Sequence, residues 1–175
     1  GSRDNFVYGY SERGMGFTPP GLGLFRVPKD QLANKVSYEF FSGLDVNSNP
    51  TWSTDVNQRQ PVFSDPNGVN WGVNAMYNPV LGRYIMAVAH TTTGDWGLFE
   101  APEPWGPWST VGYYNDWIDS QFKFTFVFPQ KWMSFDSKTM YMIFSGTGVY
   151  DSFNVIKATL TTSSQQDTNP PNRIN

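Results

Sequence analysis

One pair of strands is written three times along this chain. Phe6–Arg13 (FVYGYSER), Arg83–His90 (RYIMAVAH) and Thr139–Gly146 (TMYMIFSG) align as short runs rich in aromatic and β-branched residues. Each is followed by a short loop and a second run: Leu22–Val27 (LGLFRV), Trp96–Ala101 (WGLFEA) and Phe153–Leu160 (FNVIKATL). The runs are bounded by Gly, Pro, Asn and Asp, which is the mark of strands and turns. Helical periodicity is nearly absent. Its one short candidate, Lys29–Lys35 after Pro28, reads as a turn or a single helical turn.

The repeat grows when its neighbours are added. Tyr38–Gly43 (YEFFSG) and Ser109–Tyr114 (STVGYY) supply a further strand to two units. Trp71–Pro79 (WGVNAMYNP) and Lys131–Asp136 (KWMSFD) supply a preceding strand to two. Phe122–Phe128 (FKFTFVF) reads as a half-buried strand. The unit is then a four-stranded antiparallel meander of roughly 50 to 60 residues, the period of a β-propeller blade. A β-sandwich of short strands is the competing fold, but its strands do not repeat in groups of four.

The expected fold class is therefore all-β, a β-propeller with about three blades in this chain. The units run roughly over 4–60, 61–116 and 117–162, together a partial propeller over 1–160. Residues 161–175 read as a polar, proline-containing tail. The first unit starts at its second strand and the last lacks a clear fourth. Propellers have 4 to 8 blades, so the expectation is that missing N-terminal blades, or self-association through exposed apolar faces, complete the ring.

Composition removes several function classes. There is no cysteine, hence no disulfide, no thiol catalysis and no cysteine-bound zinc. One histidine argues against a histidine-built metal site. The net charge is −3 and the basic residues are scattered, so no nucleic-acid partner is expected. No run of about 18 apolar residues spans a membrane. No phosphate loop, dinucleotide fingerprint or Gly-x-Ser-x-Gly elbow occurs. No cofactor is expected, with a structural calcium ion left open.

Certain residues carry a resemblance. In order they are Leu24-Phe25-Arg26-Val27-Pro28, Tyr38-Glu39-Phe40-Phe41, Trp52-Ser53, Pro61-Val62-Phe63, Tyr77-Asn78-Pro79-Val80-Leu81-Gly82-Arg83-Tyr84 and Ala101-Pro102-Glu103-Pro104-Trp105-Gly106-Pro107-Trp108-Ser109. Over roughly residues 6–160 this order resembles the C-terminal half of a bacterial propeller family long labelled a domain of unknown function. Some of its members are endo-arabinofuranosidases acting on cell-wall arabinan, and its layout is similar to the five-bladed glycosidases. The resemblance implies a carbohydrate-active, glycoside hydrolase-like protein, secreted or at the cell surface, with a polysaccharide or oligosaccharide as partner. The family's catalytic carboxylates lie in earlier blades, so no catalytic residue transfers by motif. A non-catalytic carbohydrate-binding propeller and a structural or assembly module are the alternatives.

Blade topology selects the site candidates. The loops before each innermost strand and after each second strand meet at one end of a propeller. Glycoside hydrolysis needs two carboxylic groups about 5 to 10 Å apart, and Glu12 and Asp65 are the candidates for that pair. Arg13, Trp71, His90 and Trp117 are the candidates for substrate binding, the tryptophans as stacking platforms and the histidine toward a hydroxyl. Each also has an ordinary structural reading. Asp65 lies in Asp-Pro-Asn-Gly, a strong turn sequence. The phrase APEPWGPWS reads mainly as the capped edge of a blade.

Overall fold

The aromatic and β-branched runs form strands throughout the part of the chain described by this computed structural model, which covers residues 2–11, 21–70, 72–92, 95–115, 124–147 and 149–161. Among these residues there is no α-helix, only single 3-10 turns such as Lys35–Ser37. No described helix is long and apolar enough to cross a membrane. The strands make three antiparallel sheets.

The first sheet holds β1 (Phe6–Ser11), β2 (Leu22–Pro28), β3 (Glu39–Leu44), β4 (Pro50–Ser53) and β5 (Pro61–Phe63). Its order is β1-β2-β3-β4, with β5 pairing the start of β2. The second is a meander of β6 (Asn74–Asn78), β7 (Arg83–Ala89), β8 (Trp96–Ala101) and β9 (Ser109–Tyr114). The third holds β10 (Phe124–Val127), β11 (Thr139–Thr147) and β12 (Val149–Thr159). The three aligned segments are thus β1, β7 and β11. Each pairs with its following strand, as β1–β2, β7–β8 and β11–β12.

The sheets bury their faces on one another. Leu22 and Phe63 of the first sheet pack with Met86, Val88 and Phe99 of the second. The opposite face of the second sheet, through Met76, Ile85, Ala87, Trp96 and Leu98, packs on Phe126, Phe128, Met140, Met142 and Phe144 of the third. Trp96 lies flat against Tyr114 at 4.2 Å and stacks on Phe126 at 5.2 Å. Such contacts bury large apolar areas with favourable ring geometry. The middle sheet is therefore covered on both sides, which explains why RYIMAVA is a continuous apolar run after its first residues.

Polar groups lock the stack at its turns. Asn78 is fully buried. Its Oδ1 accepts from the N–H groups of Val80 and Leu81 at 3.2 and 3.0 Å, closing the β6–β7 turn. Its Nδ2 donates to the Ser137 carbonyl at 3.1 Å, on the third sheet's side. On the first sheet, Arg26 lies over the rings of Phe6 and Trp52 and donates to Glu39 at 2.7 Å. Tyr10 donates to the Pro104 carbonyl at 2.6 Å, and Arg3 pairs with Glu103. These tie β1 to the β8–β9 loop.

One expected strand is absent. Lys131–Asp136 does not pair with β11; β10, inside the FKFTFVF run, does. Gln130–Trp132 is a 3-10 turn and Phe135 is fully exposed. Ser134 and Asp136 turn their side chains on local backbone: Asp136 accepts from Lys138 N–H at 3.1 Å, and Ser134 accepts from Thr139 N–H at 2.9 Å. Side chains of this kind offer the backbone an alternative to a ladder. The tail beyond Thr161 lies outside the described residues.

Asn78→Leu removes three hydrogen bonds from a buried site and leaves their partners unpaired. It should lower unfolding stability by about 2–4 kcal/mol, read from urea denaturation. A loss under about 0.5 kcal/mol, the usual size for surface changes, would show that the turn does not depend on this side chain.

Candidate functional site

Two of the six sequence candidates, Asp65 and His90, fall among the described residues. Glu12, Arg13, Trp71 and Trp117 lie outside them. Asp65 and His90 are 25 positions apart in sequence yet adjacent in space, and the loop chemistry explains the approach.

Asp65 opens the Asp-Pro-Asn-Gly turn after β5. Its Oδ1 accepts from Asn67 N–H at 2.8 Å and from Asn67 Nδ2 at 3.0 Å. Gly68 N–H donates to the Asp65 carbonyl at 2.9 Å. Gly68 sits at φ +85°, and a Cβ there would fall 1.8 Å from Thr91 Oγ1. Only glycine combines that backbone with that approach. The turn is then pinned to the end of β7, because Thr91 N–H donates to the Asn67 carbonyl and Asn70 N–H to the Ala89 carbonyl.

His90 follows β7 directly, and its N–H donates to the Asp95 carbonyl at 2.9 Å. The imidazole is buried, with Nε2 3.8 Å from Asp65 Oδ1. That distance permits a charge interaction but not a hydrogen bond. Neither ring nitrogen has a hydrogen-bond partner among the described residues. Gly97 on β8 makes room for the ring, since a Cβ there would stand 2.9 Å from Nε2. Burial pulls the His90 pKa below its ordinary value, against the opposing fields of Asp65 and Asp95.

The third member is Tyr113, on β9. Its hydroxyl donates to Asp65 Oδ2 at 2.7 Å, and its ring lies 5.5 Å from the imidazole. Burial, then the bond to Asp65, raises its pKa. Tyr113 is 45% exposed, whereas the Asp65 side chain is 4% exposed. The carboxylate is therefore a buried anchor, and the phenol is what it presents.

Tyr113 and Asp65 line an open groove of about 440 Å³ between the first and second sheets. Trp105, Trp108, Phe63 and Phe99 line it as well. The tryptophans also cap the sheets, as APEPWGPWS suggested: Trp105 packs 6.3 Å from Trp52, and Trp108 packs 6.1 Å from Tyr10. Both tryptophans thus pack on the first sheet and line the groove as well. Sequence reasoning missed Tyr113. Plain alternation in STVGYY would set Tyr113 with Val111, but the register shift between Leu98 and Phe99 leaves Val111 over and sets Tyr113 with Thr110 on the groove. Among the described residues, no group of three or more His, Asp or Glu is placed to hold a metal ion.

No protein-family profile matches the chain, and no curated protein matches it. A solved structure does: the crystal structure of a GH43_1 enzyme from Xanthomonas citri, at 14% identity and a TM-score of 0.49. The match covers 82% of this chain and 40% of that one.

The histidine gives a clean titration test, being the only one in the chain. A pKa lowered on folding means that, as pH falls below about 6.5, the unfolded chain binds a proton that the folded chain refuses. Stability should be full above that pH and decline below it. Thermal melts at pH 7.5 and 5.0 should show His90→Gln losing less of its melting temperature on acidification than the original chain. Equal losses would show that the imidazole is not held in a neutral, buried state.

Proposed function

We infer that the chain is the sugar-binding portion of a glycosidase-like β-propeller, and that the aromatic groove takes a polysaccharide or oligosaccharide. Three antiparallel sheets stacked face to face, each built on the same hairpin, support the propeller reading. The family resemblance supports five blades for the complete ring and a substrate class of furanose-containing polymers. The same reading places the protein outside the cell, where such polymers occur.

The groove is the observation that carries this reading. A sugar presents apolar C–H faces and a rim of hydroxyls, so its sites pair flat aromatic walls with a few fixed polar groups. Trp105, Trp108 and Tyr113 supply walls, while the Tyr113 and Thr110 hydroxyls supply polar contacts.

Binding is favoured over catalysis at this groove. A hydrolytic acid must reach the glycosidic oxygen, yet the Asp65 carboxylate is nearly covered and already accepts from Asn67 and Tyr113. Its role in this reading is to fix the Tyr113 hydroxyl, which makes it a positioning residue. Hydrolysis needs a second carboxylate, for which the sequence offers Glu12.

Calorimetry with neutral arabinan oligosaccharides tests the reading. Tyr113→Ala should weaken binding about tenfold or more, a loss of about 1.4 kcal/mol, with an unchanged far-ultraviolet circular dichroism spectrum. Asp65→Asn should weaken it less, because the amide still offers Tyr113 an acceptor. No binding by the original chain at millimolar sugar, or an affinity untouched by Tyr113→Ala, would overturn the groove as the site.

A further inference from the structure

Twice among the described residues an arginine lies on aromatic rings with a carboxylate at its side. The Arg26 guanidinium stands 4.4 Å from the centre of the Phe6 ring and 4.1 Å from that of Trp52, and its Nε donates to Glu39 at 2.7 Å. Arg3 stands 5.5 Å from the Tyr77 ring and 5.9 Å from the Tyr84 ring, and it pairs with Glu103. The face of a ring carries the negative part of its quadrupole, so rings and carboxylate attract the same cation. In both places the chain supplies that cation itself.

The groove repeats the combination. Trp105, Trp108 and Tyr113 line it, and so does the Asp65 carboxylate. Among the described residues that line it, Asp65 carries the only charge, and none is Lys, Arg or His. Here the described residues supply rings and a carboxylate but no cation. The groove is also continuous with the first cluster, since Trp105 packs 6.3 Å from Trp52, one of the rings under Arg26.

The hydroxyl of Tyr113 adds to this bias. A phenol has one proton, and Tyr113 gives it to Asp65 Oδ2 at 2.7 Å. Toward a ligand the oxygen can then only accept, and its bond to a carboxylate makes it a stronger acceptor. Asp65 itself, as a carboxylate, only accepts. Its side chain is nearly covered, so its field reaches the groove through a medium that screens less than water. A sugar hydroxyl can donate to such acceptors. An ammonium does so through a charge-assisted bond, roughly twice as strong. A uronate brings a second negative charge, and its carboxylate has no proton to donate.

We propose that the groove selects sugar chains that carry a protonated amine, over neutral chains of the same length and over uronates. The ammonium lies among the rings, with the Tyr113 oxygen as its acceptor and Asp65 as its counter-charge. Asp65 then determines specificity, acting through Tyr113 and through its field. This inference rests on the reading of the groove as a sugar site and adds the charge of the sugar.

Calorimetry on the full chain with oligomers of glucosamine, N-acetylglucosamine and galacturonate, equal in length, is the test. All are measured at one pH of about 6, where an amine of the α-amino type is protonated and His90 contributes equally to each. The glucosamine oligomer should bind about tenfold tighter than its N-acetyl form, and added salt should shrink that advantage. The galacturonate should bind most weakly. Asp65→Asn keeps an acceptor for Tyr113 but removes the charge, and should bring the glucosamine and N-acetyl forms within about threefold of each other. Tyr113→Phe keeps the ring, removes the oxygen and should also cut the amine's advantage. Equal affinities for the glucosamine and N-acetyl forms in the original chain would overturn the proposal. So would tight binding of the galacturonate, or a preference that survives Asp65→Asn. Neutral arabinan bound with no gain for the amine would end the charge preference and leave the groove a sugar site. No binding of any of the four sugars would overturn both readings.

Discussion

The middle sheet is apolar on both faces, and the rest of the structure follows from that constraint. Strand β7 is buried from Tyr84 through Ala89, so it must have a sheet on either side. Met86 and Val88 face the first sheet, while Ile85, Ala87 and Ala89 face the third. Removing either neighbour would put several large side chains into water, at roughly 1.5–3 kcal/mol each. Sheet order and stacking are thereby fixed before any loop is considered.

The groove is a by-product of this stacking. Between the first and second sheets packing leaves an open groove, and Trp105 and Trp108 line it. Its tryptophans serve as struts between β1, β4 and β5, and their remaining surface becomes the wall of a cleft. Rings held by packing lose little freedom when a ligand arrives, which favours binding. Asp65 adds rigidity of the same kind. It closes its own turn, fixes Tyr113 and sits beside the buried imidazole of His90. Read from the sequence, a turn residue and a site residue are rival descriptions of Asp65. In the fold, the turn is what aims the carboxylate at the phenol.

The sequence made the fold more legible than the site, for physical reasons. Hairpins announce themselves through local periodicity, so β1–β2, β7–β8 and β11–β12 align by eye. KWMSFD misled because its apolar residues are spaced like a strand's, while Ser134 and Asp136 satisfy the backbone in a turn instead. The blade topology named Asp65 and His90 as candidates, but their contact depends on where the β5 turn comes to rest against the end of β7. Tyr113 was not among the candidates, because its place depends on the pairing of β8 with β9, Gly97 opposite Tyr113, and on that same turn. Cross-strand position and loop placement are set by tertiary packing, which no local pattern records.

One local pattern does record its surroundings. The equivalents LGLFRV, WGLFEA and FNVIKATL share a place in the repeat but differ in rhythm. The second is nearly continuous in apolar residues, and β8 is buried along almost its whole length. The third alternates, and β12 alternates between half-buried and exposed. A strand between two sheets needs apolar side chains on both faces, whereas a strand at the end of a stack needs them on one. The exposed face of β12 departs from that rule at Phe153 and Val155, where solvent alone would favour polar residues.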